Sequence, residues 1–303
     1  ARVVVYDEDL DVAVLSAAAA LVVAWALGVA VLGAQIPALN RLVQSSAVLR
    51  TVDAVLPGDA DQVLNAFSDV VDQSIFPRYL EPFVPERIVP VDRPTRRILR
   101  DPQLSAAADS VVKILGTAGD CGRSVEGSGF VYARQRVMTN AHVVAGVEEP
   151  EVVTAEETLP ARVVVYDEDL DVAVLHVPGL PGAPLRFAAG ADSGDPAAVL
   201  GYPENGPFDA EPARIRSEQS LRSPDIYGRG MVTRQVFALY ADVRPGNSGG
   251  PLISPRGRVY GVIFAASISD AQTGYALTAE QVRGTARAGR GATTVVDTGD
   301  CAG

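Results

Sequence analysis

Three short stretches of this chain carry residues that could do covalent chemistry together. The first reads Gly246-Asn247-Ser248-Gly249-Gly250-Pro251. Glycine permits backbone conformations and close approaches that a Cβ would block. A serine held between glycines can therefore sit on a tight turn, with the amides of Gly246 and Ser248 aimed at one point where an oxyanion would lie. A serine hydroxyl is a weak nucleophile and needs a base in contact with it. The chain has two histidines, His142 and His176. His142 closes Arg136-Val137-Met138-Thr139-Asn140-Ala141-His142, a β-like run ending in a small-residue turn. Upstream of it, Gly127-Ser128-Gly129-Phe130-Val131-Tyr132 reads as a glycine bend entering a strand. A base in turn needs an acid to hold its tautomer. Asp171 heads the apolar run Val172-Ala173-Val174-Leu175, and a carboxylate at the mouth of a buried strand calls for a partner. Taken alone, the serine motif fits an ordinary strand-connecting loop equally well. Its upstream neighbours favour catalysis.

Thr139-Asn140-Ala141-His142-Val143-Val144, Asp169-Leu170-Asp171-Val172-Ala173-Val174-Leu175 and Gly246-Asn247-Ser248-Gly249-Gly250-Pro251-Leu252 follow one another in that order. Together they resemble the three signature blocks of trypsin-like serine proteases, with the bacterial Htr-type branch nearest. The His, Asp, Ser order is the chymotrypsin order. The wider layout resembles membrane-anchored periplasmic serine proteases of mycobacteria and actinobacteria that are linked to acid resistance. In those proteins a colicin-V-production-like membrane region precedes the protease. The resemblance implies His142 as general base, Asp171 as its orienting acid and Ser248 as nucleophile. The amides of Gly246 and Ser248 would form the oxyanion hole. It implies acyl transfer at peptide bonds with neither metal nor organic cofactor. The implied fold class is all-β: two six-stranded antiparallel barrels, His142 and Asp171 from the first and Ser248 from the second, the site between them. Phe264, Ala265 and Ala266 would form the strand edge that pairs with substrate backbone, a mode that gives affinity without sequence specificity. Asp242 lies six residues before Ser248. An acid at that offset selects Lys or Arg in trypsin-like enzymes; the other reading is a surface or turn aspartate. Residues 274–277 would wall the pocket. His176, directly after Leu175, reads as a packing or surface histidine, with pH sensing the alternative.

Cys121 and Cys301 are the only cysteines, too few and too far apart for a structural zinc site. Cys121 comes just before the first expected protease strands. A bridge to Cys301 would tie the C-terminal tail to the start of the barrel, in a compartment expected to be oxidising. Two unrelated thiols are the other reading.

The length of 303 residues allows about two domains of ~100–200 residues each. With 48% hydrophobic and 21% charged residues the chain is globular with a membrane contribution, not disordered. A net charge of −11 argues against nucleic-acid binding, which needs a basic footprint.

Along the chain, residues 1–15 repeat 161–175 without a change. The identity stops abruptly and has no period, so it is no structural repeat. Residues 1–11 are left unassigned, and the catalytic acid is placed at Asp171 and not at its twin Asp11. Residues 12–36 carry no charge. As a helix they would span about 37 Å, enough to cross a hydrocarbon core of ~30 Å with tilt. Arg41 and Arg50 follow this run while Arg2 alone precedes it. The positive-inside rule read naively would put the protease in the cytoplasm, but large domains translocate largely regardless of such charges. The expected location is the cell membrane, with one visible pass and the protease on the periplasmic side. Residues 37–103 read as a helical and Pro-rich linker: helical spacing over 39–55 and 59–75, then frequent prolines from 76 to 102 that forbid one long helix. Arg96 and Arg97 near its far end are either solvated charge or a self-cleavage site.

From 104 to 303 the pattern is one of short strands broken by Gly, Pro and Asp, the expected protease domain. Strands are expected at 111–115, 129–133, 136–138, 161–166, 172–177, 197–201, 213–217, 232–238, 251–253 and 259–264. A terminal helix is expected over 278–287, with Thr278 as N-cap and Gln281 at its third position. The chain ends soon after Cys301, unlike Htr-type enzymes that continue into a PDZ domain, so the protease domain is expected to be monomeric. Its partners would be protein or peptide substrates in the cell envelope and, through the N-terminal helix, the membrane.

Overall fold

The computed structural model describes residues 87–302 with the exception of Ile268. The duplicate at 1–11, the expected membrane span at 12–36 and the linker to residue 86 lie outside the described residues. Among the described residues, no helix is long and apolar enough to cross a membrane.

Two antiparallel sheets make up the body. The first takes β1 (Val111–Ala118), β2 (Arg123–Ala133), β3 (Arg136–Thr139), β4 (Glu151–Val153), β5 (Thr158–Pro160), β6 (Arg162–Asp167) and β7 (Val172–His176), in the order β5-β4-β1-β2-β3-β7-β6. The second takes β8 (Arg186–Phe187), β9 (Pro196–Gly201), β10 (Asp209–Pro224), β11 (Met231–Tyr240), β12 (Pro251–Ile253), β13 (Arg258–Ala266) and β14 (Thr273–Thr278). Its order is β12-β9-β10-β11-β14-β13-β8, and a further β12–β13 pairing closes six of these strands into a ring. β8 joins β13 from outside, the one parallel pair among the described residues.

Two six-stranded barrels were the expectation, and only the second sheet closes a six-stranded ring. The first is a curled sheet of seven strands. Four strands escape the pattern reading: β4, β5, β8 and β14. β10 is far longer than expected, because it pairs along its length with β9 and then β11 across a bulge at Ile215/Ser217.

The continuous apolar runs in these strands follow from burial on both faces. Successive side chains on a strand point to opposite sides. In β7, Val172 and Val174 enter the core between the sheets, while Ala173 and Leu175 enter the interior of the first sheet. Phe130 and Tyr132 of β2 flank Val131 in the same way. In the second sheet, Ala198 and Leu200 face the shared core, and Ala197 and Val199 the interior of the ring. Each fully buried Val, Leu or Phe stabilises by roughly 1.5–3 kcal/mol. The shared core therefore welds the two sheets.

Helix α1 (Pro102–Ala108) starts with Asp101 accepting from the Gln103 amide at 2.9 Å. It and a short 3-10 helix at Arg96–Arg100 bury Leu104 and Ile98 in the shared core. This corrects the domain boundary at 104: residues from Val89 onward already pack on the protease. Arg96 and Arg97 stand in that docked 3-10 helix and not in an extended tether. At the other end, α2 (Ala279–Gly289) begins as expected, with Thr278 Oγ1 accepting from the Gln281 amide at 3.1 Å. The reciprocal half of the capping box does not form. Gln281 Oε1 instead accepts from the Gln235 amide of β11 at 2.8 Å. Arg136 donates to the carbonyls of Gly289 and Ala292, at 2.9 and 2.7 Å, satisfying the C-terminal end of α2.

Beyond α2 the tail runs back across the first sheet. Val296 donates to Val163 O at 3.0 Å, Gly146 to Thr298 O at 3.1 Å, and Thr298 Oγ1 to Val147 O at 3.1 Å. Cys301 is bridged to Cys121, with Cα atoms 6.6 Å apart and a sequence separation of 180. Replacing both cysteines by serine is expected to lower stability by about 3–5 kcal/mol through the freed loop. Thermal unfolding checks it: a midpoint within ~1 °C of the parent would mean that the bridge stabilises nothing.

Candidate active site

The β6–β7 turn delivers Asp171. Asp167 Oδ1 accepts from the Leu170 amide at 2.9 Å and tightens this turn. Burial pushes the Asp167 carboxyl up. Asp171 itself is left-handed at φ 59°, a conformation that Asp tolerates better than most residues. Its carbonyl accepts from Asn140 Nδ2 at 2.7 Å, which ties the Asp turn to the His turn. The Asp171 side chain is fully buried. Its Oδ1 accepts from the His142 backbone amide at 3.0 Å, and Oδ2 meets His142 Nδ1 at 2.8 Å. One residue thus satisfies the carboxylate twice, and the ring nitrogen facing it is fixed as the donor.

Ser248 comes from the second sheet, in the loop ahead of β12. Gly249, at φ 80°, brings this loop against the first sheet: a Cβ there would collide with Ser128 O and Thr139 Oγ1 and reach 3.0 Å from the Asn140 amide. The serine segment therefore lies directly on the residues that lead into His142. On the other side Gly127 approaches the Ser248 carbonyl, and the Ser128 amide donates to that carbonyl at 2.8 Å. Ser248 Oγ is buried and forms no hydrogen bond among the described residues.

The loop backbone is fixed peptide by peptide. Pro245 O accepts from the Glu204 amide at 2.8 Å, and Asn247 O from the Gly250 amide at 2.9 Å. The Asn247 amide donates to Arg244 O at 3.0 Å, and its side-chain Oδ1 accepts from the Arg244 amide at 2.9 Å. The peptide unit is planar, so holding a carbonyl directs the N–H on its far side. The two N–H groups opposite the held carbonyls of Pro245 and Asn247 belong to Gly246 and Ser248. Neither forms a hydrogen bond among the described residues. Glu204, which supplies one of the holding amides, is itself left-handed at φ 54°. Arg244 forms ion pairs with Asp209 and Glu204 at the rim.

The other candidates take different places. β12 pairs with β13 only as far as Val262, whereas β14 pairs with it through Ala266. Ala265 and Ala266 thus keep one backbone edge without a strand partner among the described residues, and the Phe264 side chain is buried beneath them. Asp242 is exposed. It lies beside Glu211, whose carboxyl is pushed up by burial first and then by the charges of Asp242 and Asp209. Its neighbour Val243 is packed against Gly274. Tyr275 and Leu277 point into the shared core. His176 pairs in register with Arg136 on one side and Arg162 on the other. Partial burial and these two cations hold its imidazole below its usual range, and it closes β7 at the end opposite Asp171. In the sequence Asn140 and Ser128 each read as no more than a turn residue. Their contacts here are their only signal.

The profile of the trypsin-like peptidase domain matches residues 127–262. Serine protease Rv3671c of Mycobacterium tuberculosis is 46% identical over 267 residues, which cover 88% of this chain and 67% of that protein. The crystal structure of the active form of that protease superposes with a TM-score of 0.70 at 49% identity, over 74% of this chain and 99% of that one. The chloroplastic Protease Do-like 1 of Arabidopsis thaliana is 30% identical over 167 residues, 52% of this chain and 38% of its own. The HtrA-type protease AlgW with tripeptide, at 23% identity and a TM-score of 0.55 over 63% of this chain and 64% of its own, shares the fold.

Gly249→Ala is expected to destabilise by more than ~3 kcal/mol, since both the positive φ and the contact with Ser128 O oppose a side chain. Denaturant unfolding measures it. A loss below ~1 kcal/mol would mean that the serine loop is not held against the His turn in this way.

Proposed function

We propose that this chain, which belongs to the trypsin-like peptidase family and is a serine protease, cleaves peptide bonds with a triad of His142, Asp171 and Ser248. The observation that carries the reading is the buried Asp171 carboxylate gripping both the ring and the amide of His142, next to a serine loop with two unpaired, directed N–H groups. His142 takes the Ser248 proton as the hydroxyl attacks the scissile carbonyl. The Gly246 and Ser248 amides receive the oxyanion. His142 then protonates the leaving amine, and water, deprotonated by the same imidazole, releases the acyl-enzyme. Asp171 keeps the imidazole in the tautomer whose far nitrogen carries the lone pair and acts as the proton acceptor. The free edge at Ala265 and Ala266 supports extended substrate backbone. Exposed Asp242 gives no support to selection of Lys or Arg at the cut.

The substrates are proteins or peptides, and we place them in the cell envelope. The uncharged run at 12–36 supports a membrane anchor. The Cys121–Cys301 bridge supports an oxidising compartment on the protease side. A role in envelope stress or acid resistance follows from the same family reading. Loss of survival at acid pH on deletion of the gene, restored by the parent chain and not by Ser248→Ala, is the test of that role.

Ser248→Ala is expected to keep its fold and lose peptide hydrolysis, and Asp171→Asn to lower kcat by about 10⁴-fold through the wrong imidazole tautomer. Cleavage of fluorescein-labelled casein and labelling of Ser248 by a fluorophosphonate measure both. Casein cleavage retained by Ser248→Ala would sink the scheme.

A further inference from the structure

We infer that Ser128 is a positioning residue for the oxyanion hole. The inference rests on Ser248 being the nucleophile, as proposed above. Ser128 belongs to the first sheet, yet all its polar groups engage, and three of its four hydrogen bonds go to segments of the second. Its hydroxyl donates to Gly246 O at 2.6 Å and accepts from the Tyr202 amide at 2.9 Å. Its amide donates to Ser248 O at 2.8 Å, and its carbonyl accepts from Thr139 Oγ1 at 2.7 Å. The side chain is fully buried.

The first of these bonds matters for the chemistry. A hydroxyl has one proton, and the Tyr202 amide occupies a lone pair on its oxygen. That leaves the proton directed at the Gly246 carbonyl. The Gly246–Asn247 peptide lies between the two peptides whose N–H groups face the oxyanion position. The glycine that gives the loop its turn, at φ 85°, is also its weakest restraint, because glycine rotates more freely than any other residue. A swing at Gly246 would turn its own amide out of line. The Ser128 hydroxyl and the Arg244 carbonyl grip the intervening peptide at both ends and oppose that swing. Space around Ser128 is set for this one side chain. A Cβ on Gly201 would come within 2.7 Å of Ser128 Oγ, and one on Gly250 within 3.3 Å of Ser128 Cβ.

The test uses the full chain and the variant Ser128→Ala, with 4-nitrophenyl butyrate as substrate and phenylboronic acid as a probe that adds to Ser248 and presents an oxyanion-like hydroxyl. Removing a holder of the hole, and not one of its donors, is expected to lower kcat by about 10- to 100-fold. The affinity for phenylboronic acid should fall by the same factor while KM stays within ~2-fold of the parent. Unchanged kcat and phenylboronic acid affinity would overturn the assignment. So would a loss of kcat and melting temperature with phenylboronic acid affinity unmoved, which is what a space-filling role gives. If Ser128→Ala does not fold, Ser128→Cys fills the same space with a weak donor and is read by the same two measurements. Casein cleavage surviving in Ser248→Ala would overturn the nucleophile assignment and this one with it. A normal Ser128→Ala beside an inactive Ser248→Ala would overturn this one alone.

Discussion

A carboxylate with no access to water must have partners, and Asp171 draws both of them from one residue. An unpaired charge at that depth would cost several kcal/mol. The His142 turn is therefore part of what makes the Asp171 turn tolerable, and the reverse holds as well. Asn140 adds a third tie by holding the carbonyl of a residue whose backbone is left-handed. The first sheet is thus built around a buried charge, with β3 and β7 as direct neighbours in register. The second sheet contributes Ser248, in the loop ahead of β12.

It does so through contacts that glycine makes possible. The serine loop meets the first sheet at Gly249, while Ser128 reaches the other way into the second. These polar contacts lie at the edge of a shared apolar core that takes side chains from β2, β3 and β7 on one side and from β9, β13 and β14 on the other. Non-directional burial holds the sheets together, and a few short directional bonds set their register at the site. The division is sensible energetically: apolar area supplies most of the stability, and hydrogen bonds supply the geometry.

Much of the candidate site is legible because its signals are local. Each of His142, Asp171 and Ser248 stands in a short block whose neighbours announce a turn or a buried strand, and their order could be read along the chain. Strands buried on both faces, such as β7 and β9, also announce themselves as apolar runs. β4 and β5 have three residues each and β8 has two, too few for any period to appear. They exist because longer strands offer them an edge. The sequence marks only five residues of β10, because its outer half alternates half-buried and exposed positions along a polar stretch, and β11 is what holds it in the sheet. Ser128 looks like a bend residue until its partners, 74 and 118 residues away, are known. The half-formed capping box at Thr278 has a similar cause: Gln281 found a backbone amide on β11 that the local sequence could not foretell.

The segment entering the protease has a mechanical meaning. Val89 O accepts from Arg216 Nη1 at 3.0 Å, Arg93 reaches the Tyr240 hydroxyl, and Arg216 lies over the Tyr240 ring at 4.5 Å from its centroid. Tension arriving from earlier in the chain would be taken up at β10 and β11 before it reached β1. A pull on the leading end would load the sheet that carries Ser248, while the sheet carrying His142 would feel the strain only through the shared core. Arg216 is the rivet at which that load path begins.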